Sequence, residues 1–314
     1  MTVAGALLLY VAIVLVAGPR LLRRITTDGG APRVAIAAWL TAVVTVLGCS
    51  VAAIALLLIE AAGHWDTSDQ LLESCFERLQ AILGGQAGTS AMIVAASAVT
   101  LTIGLFAAIG VRFARVLGRM RSQTFAHANA VRMVGRSRGD GVVVIDAAEP
   151  AAYCVTGQPP AIVVTSGAVA TLDSAQLAAV VAHERAHLDG RHAYVVAVVR
   201  GLAAALPKVS LFENAATQIS SLLEMCADDA AARRHGSQPL LGGLLALSSA
   251  GRPTHSLAAA GVAVLLRAQR LTNPRNGRTR IRARMAASGA VAAMAGAPFT
   301  ITALAFSGAL ACFA

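Results

Sequence analysis

One short segment near the middle of the sequence carries residue types that could hold a metal ion and move a proton. It reads His183-Glu184-Arg185-Ala186-His187, the pattern HExxH. Residues four apart lie on one face of a helix, so both imidazoles can reach one metal ion, and Glu184 leans over the same position. A zinc ion held by His183 and His187 would activate a water molecule, Glu184 would accept its proton, and the hydroxide would attack a peptide carbonyl. The segment therefore predicts a zinc-dependent peptide hydrolase with Glu184 as the catalytic base.

A second segment downstream is expected to complete the metal site. Residues 223–231 are rich in Ala, Leu, Met and Glu, which favour a helix. Glu224 would supply a carboxylate oxygen as the third ligand, the arrangement of a gluzincin-type metallopeptidase. Asp228 lies one helical turn later, where it could accept the second N–H of a metal-bound imidazole, with His183 preferred as its partner. Asp229 competes for that role, and either Glu224 or Asp228 could instead be a solvated helix residue.

Short strands and a capped helix are expected to position the HExxH segment. Three β-branched or apolar runs predict strands, at residues 141–145, 151–155 and 161–165, and a Gly-Gln-Pro-Pro turn joins the last two. We expect them to form a small antiparallel sheet. Asp173 has Gln176 three residues later and apolar residues at helical spacing beyond it, which is typical of a capping box at a helix start. The two histidines would then lie on the helix that begins after Asp173.

The composition indicates that much of the chain faces lipid. Of the 314 residues, 56% are hydrophobic and only 13% are charged, unlike an ordinary soluble domain. Apolar stretches long enough to cross a hydrocarbon core of about 30 Å as helices lie at 1–18, 34–59, 90–111 and 285–314. No Lys or Arg precedes the first stretch, so we interpret it as a retained anchor, closed by Pro19, and not as a signal peptide. Pro298 predicts a kink in the last stretch. The alternative for each stretch is a buried core helix.

The arginines give these spans an orientation, because cytoplasmic loops near a membrane collect Lys and Arg. Residues 19–33 and both flanks of 112–284 are rich in arginine, whereas 63–89 is acidic. We therefore predict a multi-pass cell-membrane protein with 19–33 and 112–284 in the cytoplasm and both termini outside. The net charge of +10 is explained by arginines that meet anionic lipid. Direct nucleic-acid binding is not expected, because no binding module accompanies the charge.

The remaining reactive residue types are assigned ordinary roles. The five cysteines are odd in number and show no CxxC spacing, so we expect plain apolar residues. His192 and His235 lie beside arginines near helix ends, and solvated positions are favoured for them over a part in the metal site. Tyr153 and the cytoplasmic arginines are both open as contacts for the oxyanion. Residues 193–206 and 240–266 are too broken by charged residues or proline to predict a span.

The sequence around these residues resembles the BlaR/MecR-type membrane metallopeptidases and, more distantly, the HtpX-like membrane proteases. The runs that carry the resemblance are 152–155, 162–167, 179–187 and 224–228, of which the last two hold the HExxH and ExxxD patterns. It implies a zinc domain in the cytoplasmic loop between the third and fourth of four spans. It also implies a signalling protease of an antibiotic response, which inactivates a BlaI/MecI-like transcription repressor and often cleaves its own loop. Those receptors carry a penicillin-binding sensor domain after the fourth span; we expect none here, since the sequence ends at Ala314.

These observations predict an α-helical membrane protein with four transmembrane helices and a cytoplasmic α+β zincin-like metallopeptidase domain. The membrane region with three helices would occupy 1–111, the peptidase domain 112–284 and the fourth helix 285–314. Zinc is the expected cofactor. The expected partners are membrane lipid and a protein substrate, a cytoplasmic transcription repressor above all, and a homo-oligomer is left open. Two other functions are weighed: an HtpX-like quality-control protease, and a catalytically silent membrane scaffold that holds zinc only for structure.

Overall fold

The computed structural model describes residues 3–26, 29–63, 87–157, 159–250, 257–273 and 276–306. These residues form a mostly helical chain with one small sheet. The helices in chain order are α1 Val3–Thr26, α2 Pro32–Gly63, α3 Ala87–Val134, α4 Ser166–Thr171, α5 Ser174–Asp189, α6 His192–Ala205, α7 Ser210–His235, α8 Ser237–Ala250, α9 Leu257–Thr272 and α10 Gly277–Phe306. The strands, which lie between α3 and α4, are β1 Arg136–Gly139, β2 Val142–Ile145, β3 Ala152–Val155 and β4 Ala161–Thr165.

Within the described residues, four helices are long and apolar enough to cross a membrane, judged by length and composition. The qualifying stretches lie in α1, α2, α3 and α10, at Val3–Thr26, Pro32–Leu57, Thr100–Val134 and Gly277–Leu304. Large apolar side chains point outward from them; Leu101 and Phe299, for example, are 75% and 77% exposed. Apolar surface of that extent is unfavourable in water, whereas lipid tails solvate it well. The surfaces of these helices are therefore compatible with membrane insertion.

All four helices extend beyond the predicted apolar stretches, α2 by only a few residues and the other three by more. α1 runs through Pro19 to Thr26, so this proline does not close the helix as expected. A proline inside an apolar helix removes one hydrogen bond, and neighbouring helices can compensate for the loss. α3 continues to Val134, because its basic end is rich in Ala, Arg and Met, which favour helices. α10 begins at Gly277 within the arginine-rich segment, and Pro298 lies inside it. The acidic segment 64–86 and the chain end 307–314 lie outside the described residues.

The sheet differs from the antiparallel arrangement that the sequence predicts. Its strand order is β1-β2-β4-β3, with β2 and β4 parallel and the other two neighbouring pairs antiparallel. Every residue of β4 is buried, as is typical of a central strand. The turn after β3 brings β4 back along β3, so β2 pairs with the other side of β4. The sequence does not predict β1, because Arg-Ser-Arg-Gly is exposed and has no apolar residue to mark a strand.

The helix α7 lies at the centre of the packing that positions the site. Its apolar face joins α1, α2 and α6 in one buried cluster, in which Leu211, Phe212 and Ile219 pack together with Leu22 and Trp39. On another side α7 contacts α5, and α5 in turn packs against β3, β4 and α8. The sheet and the apolar helices thereby hold α5 and α7, the two helices that carry the candidate site residues, next to each other.

Candidate active site

The helix α5 begins with the capping box that the sequence predicts. The Gln176 backbone N–H donates to the Asp173 carboxylate at 2.8 Å, and the Asp173 N–H donates to the Gln176 side chain at 3.3 Å. Further along the helix, His183 is buried, with 4% exposure, and His187 is partly buried. Their Nε2 atoms lie 3.1 Å apart. The helical spacing thus places two imidazole nitrogens side by side.

Glu224 of α7 faces these two nitrogens. Its Oε2 lies 3.5 Å from His183 Nε2, and its Oε1 lies 3.5 Å from His187 Nε2. Ligand atoms bound at about 2.05 Å to one zinc ion in a tetrahedron lie about 3.3 Å from each other. The observed separations of 3.1 and 3.5 Å agree with that spacing. Two imidazoles and one carboxylate are also a donor set that zinc accepts, so the three side chains fit this metal.

Asp228, one turn after Glu224, is buried against His183. Its Oδ1 lies 3.1 Å from His183 Nδ1, a distance that suits a hydrogen bond, although the ring N–H is not directed squarely at the oxygen. A carboxylate in this position favours the tautomer with hydrogen on Nδ1 and leaves Nε2 free to bind metal. Asp229, the competing candidate, instead forms an ion pair with Arg270 at 2.7 Å.

Arg267 of α9 belongs to the same cluster, a contact that the sequence does not predict. Its Nε and Nη2 donate to the two carboxylate oxygens of Asp228 at 2.8 and 2.7 Å, and its Nη1 lies 3.1 Å from Glu224 Oε2. Asp228 is only 1% exposed, and a buried carboxylate needs such a partner. The one available signal is an arginine that interrupts a long apolar run in α9. Nothing in that signal connects it with Asp228, 39 residues earlier.

The charges of the cluster shift the acid–base properties of its members. Burial raises the pKa of Asp228, but Arg267 and His183 lower it by more, to about 2, so this carboxyl group is ionised at neutral pH. Burial lowers the pKa of His183, but Asp228 and Glu224 raise it by more, to about 9. Burial lowers the pKa of His187 to about 4, so this imidazole is neutral. The carboxylates thus favour positive charge at His183, which a divalent cation can supply in place of a proton.

Glu184 lies beside strand β3. Burial raises the pKa of its carboxyl group above the usual value, which suits a group that accepts a proton near neutral pH. Hydrogen bonds from the backbone N–H and the thiol of Cys154 act in the opposite direction. Burial, followed by the charge of Glu184, raises the pKa of Cys154 to about 12, so the thiol stays protonated and can donate. The sequence indicates only an apolar role for Cys154, and the structure adds this contact with the candidate base.

Comparison with known proteins gives the family. The profile of Peptidase family M48 matches residues 123–304, more than half of the 314-residue chain, and this segment contains the whole cluster. The chain belongs to peptidase family M48. M48 peptidases depend on zinc, so the protein is a zinc metallopeptidase, and the structure offers a group of two histidines and one glutamate that could hold the ion. The family includes membrane peptidases of the BlaR and HtpX types. No match was found among curated proteins or among solved structures.

His192 lies against the candidate metal-binding residues, so the prediction of a solvated position for it is wrong. Its side chain is buried, with 9% exposure, and its Nδ1 lies 2.9 Å from Nδ1 of His187. The turn between α5 and α6 folds it back: Arg191 has a positive φ of 50°, and a Cβ at Gly190 would overlap the His192 ring. The sequence does not reveal the contact, because this turn and not the residue spacing creates it. His235 is exposed, as predicted.

Tyr153, a candidate contact for the oxyanion, lies on the other side of the sheet from Glu184, the candidate base. Its hydroxyl is 3.2 Å from His127 Nε2, and its ring packs against buried residues of α3. Successive residues of a strand face opposite sides of a sheet, and Cys154 is the one that contacts Glu184. Tyr153 is therefore a poor candidate for this role. Arg267, in contrast, brings a guanidinium group to the cluster, with Nη2 3.4 Å from His183 Nε2.

Proposed function

We propose that this M48 peptidase is a membrane-embedded endopeptidase with Glu184 as its catalytic base. The proposed zinc ligands are His183, His187 and Glu224. The observation that supports this assignment most strongly is that their ligand atoms lie within 4.8 Å of one another, on two helices that the fold packs together. Zinc bound there supplies Lewis-acid chemistry: it polarises a peptide carbonyl and lowers the pKa of water toward neutrality.

The protein's own side chains transfer the protons and hold the geometry. Glu184 accepts the proton of the attacking water and later hands it to the leaving amine. Asp228 keeps His183 in the tautomer that presents Nε2 to the metal, and Arg267 holds Asp228 with two hydrogen bonds. With His187 Nε2 on the metal, the N–H at its Nδ1 would donate to His192 Nδ1, 2.9 Å away, which orients the second imidazole in a similar way.

An extended protein segment is the form of substrate that suits the site. β3 stands at one end of the strand order, so one of its sides is free within the described sheet, and it packs against α5. A peptide can add to such an edge through main-chain hydrogen bonds. Because Cys154 of β3 also contacts Glu184, a peptide bound along this edge would place a carbonyl group near the base.

The cleavage would serve signalling. The resemblance to BlaR/MecR-type peptidases supports a cytoplasmic repressor of the BlaI/MecI type, or the chain's own segment 112–284, as the substrate. The apolar surfaces of α1, α2, α3 and α10 support insertion into the membrane, and the arginines of 19–33 and 275–284 support a cytoplasmic peptidase domain. An HtpX-like quality-control protease is the second candidate, because the M48 family includes that type too. Membership in a peptidase family does not support a catalytically silent scaffold.

A comparison of new protein N-termini in cells tests this function. Cells that express the wild type, Glu184→Ala or Glu149→Ala are compared by mass spectrometry; Glu149 is exposed and lies outside the cluster, so it controls for the loss of a glutamate. One or two cuts that disappear only with Glu184→Ala, in a DNA-binding repressor or in 112–284, would support signalling. Many scattered Glu184-dependent cuts would indicate quality control. If no cut depends on Glu184, the proposed base is wrong.

A further inference from the structure

We propose that a cavity between the α1–α2 turn, α7 and the start of α10 binds a phosphate group, either the head group of an anionic lipid or free phosphate. The cavity has a volume of about 470 Å³. On α7 it is lined by Cys226, Asp229 and Arg233, which lie on the opposite face of that helix from Glu224 and Asp228. It is therefore separate from the proposed zinc site, although both share one helix.

Arginines give the cavity its positive charge. Those in its lining come from three elements: Arg33 of α2, Arg233 of α7, and Arg280 and Arg284 of α10. Among the described residues of the lining, Asp229 is the one carboxylate, and it already pairs with Arg270 at 2.7 Å. In the part of the chain that the structure describes, none of these four arginines forms a salt bridge. Like charges gathered around one cavity repel each other, and an anion that they share would relieve this repulsion.

The donors of the cavity match phosphate in particular. A guanidinium group is planar and can donate two parallel hydrogen bonds to phosphate oxygens. Arginines from three directions can therefore contact different oxygens of one phosphate group. The lining also includes Arg33 and Val34 in the first turn of α2, where backbone N–H groups have no partner within the helix and the helix dipole adds to the attraction for an anion.

Close packing fixes Gly29 and Gly30 just before α2, and Gly30 forms part of the wall of the cavity. A Cβ at Gly29 would overlap the Met225 side chain, and a Cβ at Gly30 would lie 2.9 Å from the Cβ of Ala283. Arg270 adds a hydrogen bond from α9, with its Nε 3.4 Å from the Gly29 carbonyl oxygen. Gly29 and Gly30 are thus held tightly between α7 and α10. The fold therefore fixes the backbone segments that carry the cavity arginines relative to one another.

The position of the cavity favours lipid as the source of the phosphate. Arg33 stands at the start of the apolar stretch of α2, and Arg280 and Arg284 precede the apolar part of α10. Both helices are long and apolar enough to cross a membrane. With these helices inserted as proposed above, the cavity lies at the level of the head groups, where basic pockets between helices bind anionic lipids. The lipid source rests on that proposed insertion, whereas the phosphate chemistry does not.

The test compares two pairs of arginines on α10. Arg280→Gln with Arg284→Gln removes two arginines of the cavity, whereas Arg278→Gln with Arg282→Gln removes the same charge from positions outside its lining. All four side chains are exposed, so neither double substitution is expected to disturb the fold. Full-length protein in a neutral detergent is titrated with dioleoylphosphatidylglycerol, with dioleoylphosphatidylcholine and with inorganic phosphate. Native mass spectrometry counts bound lipid, and calorimetry measures bound phosphate.

We expect the wild type and the Arg278→Gln/Arg282→Gln variant to retain phosphatidylglycerol in preference to phosphatidylcholine. The Arg280→Gln/Arg284→Gln variant should bind phosphatidylglycerol at least about tenfold more weakly. A second outcome is that the protein binds inorganic phosphate with the same dependence on Arg280 and Arg284 but does not prefer phosphatidylglycerol to phosphatidylcholine. The site then stands, and free phosphate is its ligand. The proposal would be overturned if the two double variants lost the same amount of binding affinity. It would also be overturned if the wild type bound neither phosphatidylglycerol nor inorganic phosphate. These experiments measure binding and not peptide hydrolysis. A failure of the proposed phosphate site is therefore distinguishable from a failure of the proposed peptidase site.

Discussion

The buried carboxylate of Asp228 lies between an imidazole ring and a guanidinium group. Asp228 is held from two sides, by the His183 ring at 3.1 Å and by two N–H groups of Arg267 at 2.8 and 2.7 Å. A buried carboxylate with two partners has little freedom to move, so it can set the orientation and the tautomer of the imidazole that it contacts. Metal affinity should therefore depend on Asp228, even though Asp228 is not a proposed ligand.

Replacement of Asp228 by asparagine tests this dependence. Asp228→Asn should weaken zinc affinity by about 10- to 100-fold, because the neutral amide is a poorer acceptor for the His183 N–H. Asp229→Asn is the matched control, since Asp229 pairs with Arg270 and not with a proposed ligand. Competition with a chromophoric chelator measures both affinities. Equal weakening in the two variants, or unchanged affinity with Asp228→Asn, would remove Asp228 from this role.

Loss of Arg267 should destabilise the fold through the carboxylate that it leaves behind. Arg267→Met deprives a carboxylate that is 1% exposed of its ion pair, and we expect the free energy of unfolding to fall by about 3 kcal/mol. The double variant Arg267→Met/Asp228→Asn should lose less than the sum of the two single changes, because no unpaired charge stays buried. Denaturant titration in detergent measures all three variants. Additive losses would show that the two side chains are not coupled.

The sequence indicates contacts within one helix but not contacts between distant segments. The spacings of HExxH and ExxxD suggest which side chains share a helix face, since helix geometry is fixed, and the structure does bring His183, His187 and Glu224 together. Arg267 reaches Asp228 from another helix, and His192 reaches His187 through a tight turn. Both contacts depend on how segments pack, which residue spacing does not encode.

At the scale of elements, local signals predict helix starts and central strands better than strand pairing. The capping box before α5 and the apolar run of β4 each carry their signal within a few residues. The polar strand β1 carries no such signal, and the parallel pairing of β2 with β4 depends on how the strands are ordered in the sheet. Pro19 predicts a helix end, yet the apolar surroundings let α1 continue through it.

The capping box should contribute measurably to the stability of α5. Asp173→Ala removes the acceptor of the Gln176 N–H and should lower the free energy of unfolding by about 1 kcal/mol. Asp189→Ala, at the last residue of the same helix, is the control; it removes a negative charge from the negative end of the helix dipole and should be neutral or slightly stabilising. Denaturant titration compares the two. The same loss in both variants would contradict a specific role for the cap.

At the scale of the whole molecule, the proposed metal site and the apolar helices share one packing core. α7 carries Glu224 on one face and packs against α1 and α2 through another. Composition alone predicts that much of the chain faces lipid, because apolar content of 56% is hard to bury in a chain of this length. The side of the membrane on which the peptidase domain lies depends on the distribution of arginines, and it stays a prediction.

Labelling of a native cysteine tests the predicted orientation. Cys75 lies in segment 63–89, which is predicted to be outside, so in a Cys312→Ser background a membrane-impermeant maleimide should label it in intact cells and should not do so in a Cys75→Ser/Cys312→Ser variant. In that variant a further substitution, Ser137→Cys in the exposed strand β1, should be labelled only after the cells are permeabilised. Gel shifts measure both reactions. Labelling of the cysteine at position 137 in intact cells would reverse the proposed topology.

The most direct test of the peptidase site measures zinc content and peptide hydrolysis in the same purified preparations. The variants are Glu184→Ala and His187→Ala, with His235→Ala as a control at an exposed histidine. Glu184→Ala should keep its zinc and lose hydrolysis by about 10²- to 10⁴-fold, because only the base is removed. His187→Ala should lose both zinc and hydrolysis, and His235→Ala should keep both. Equal zinc loss in Glu184→Ala and His187→Ala, or full hydrolysis by Glu184→Ala, would contradict Glu184 as the base beside a zinc ion.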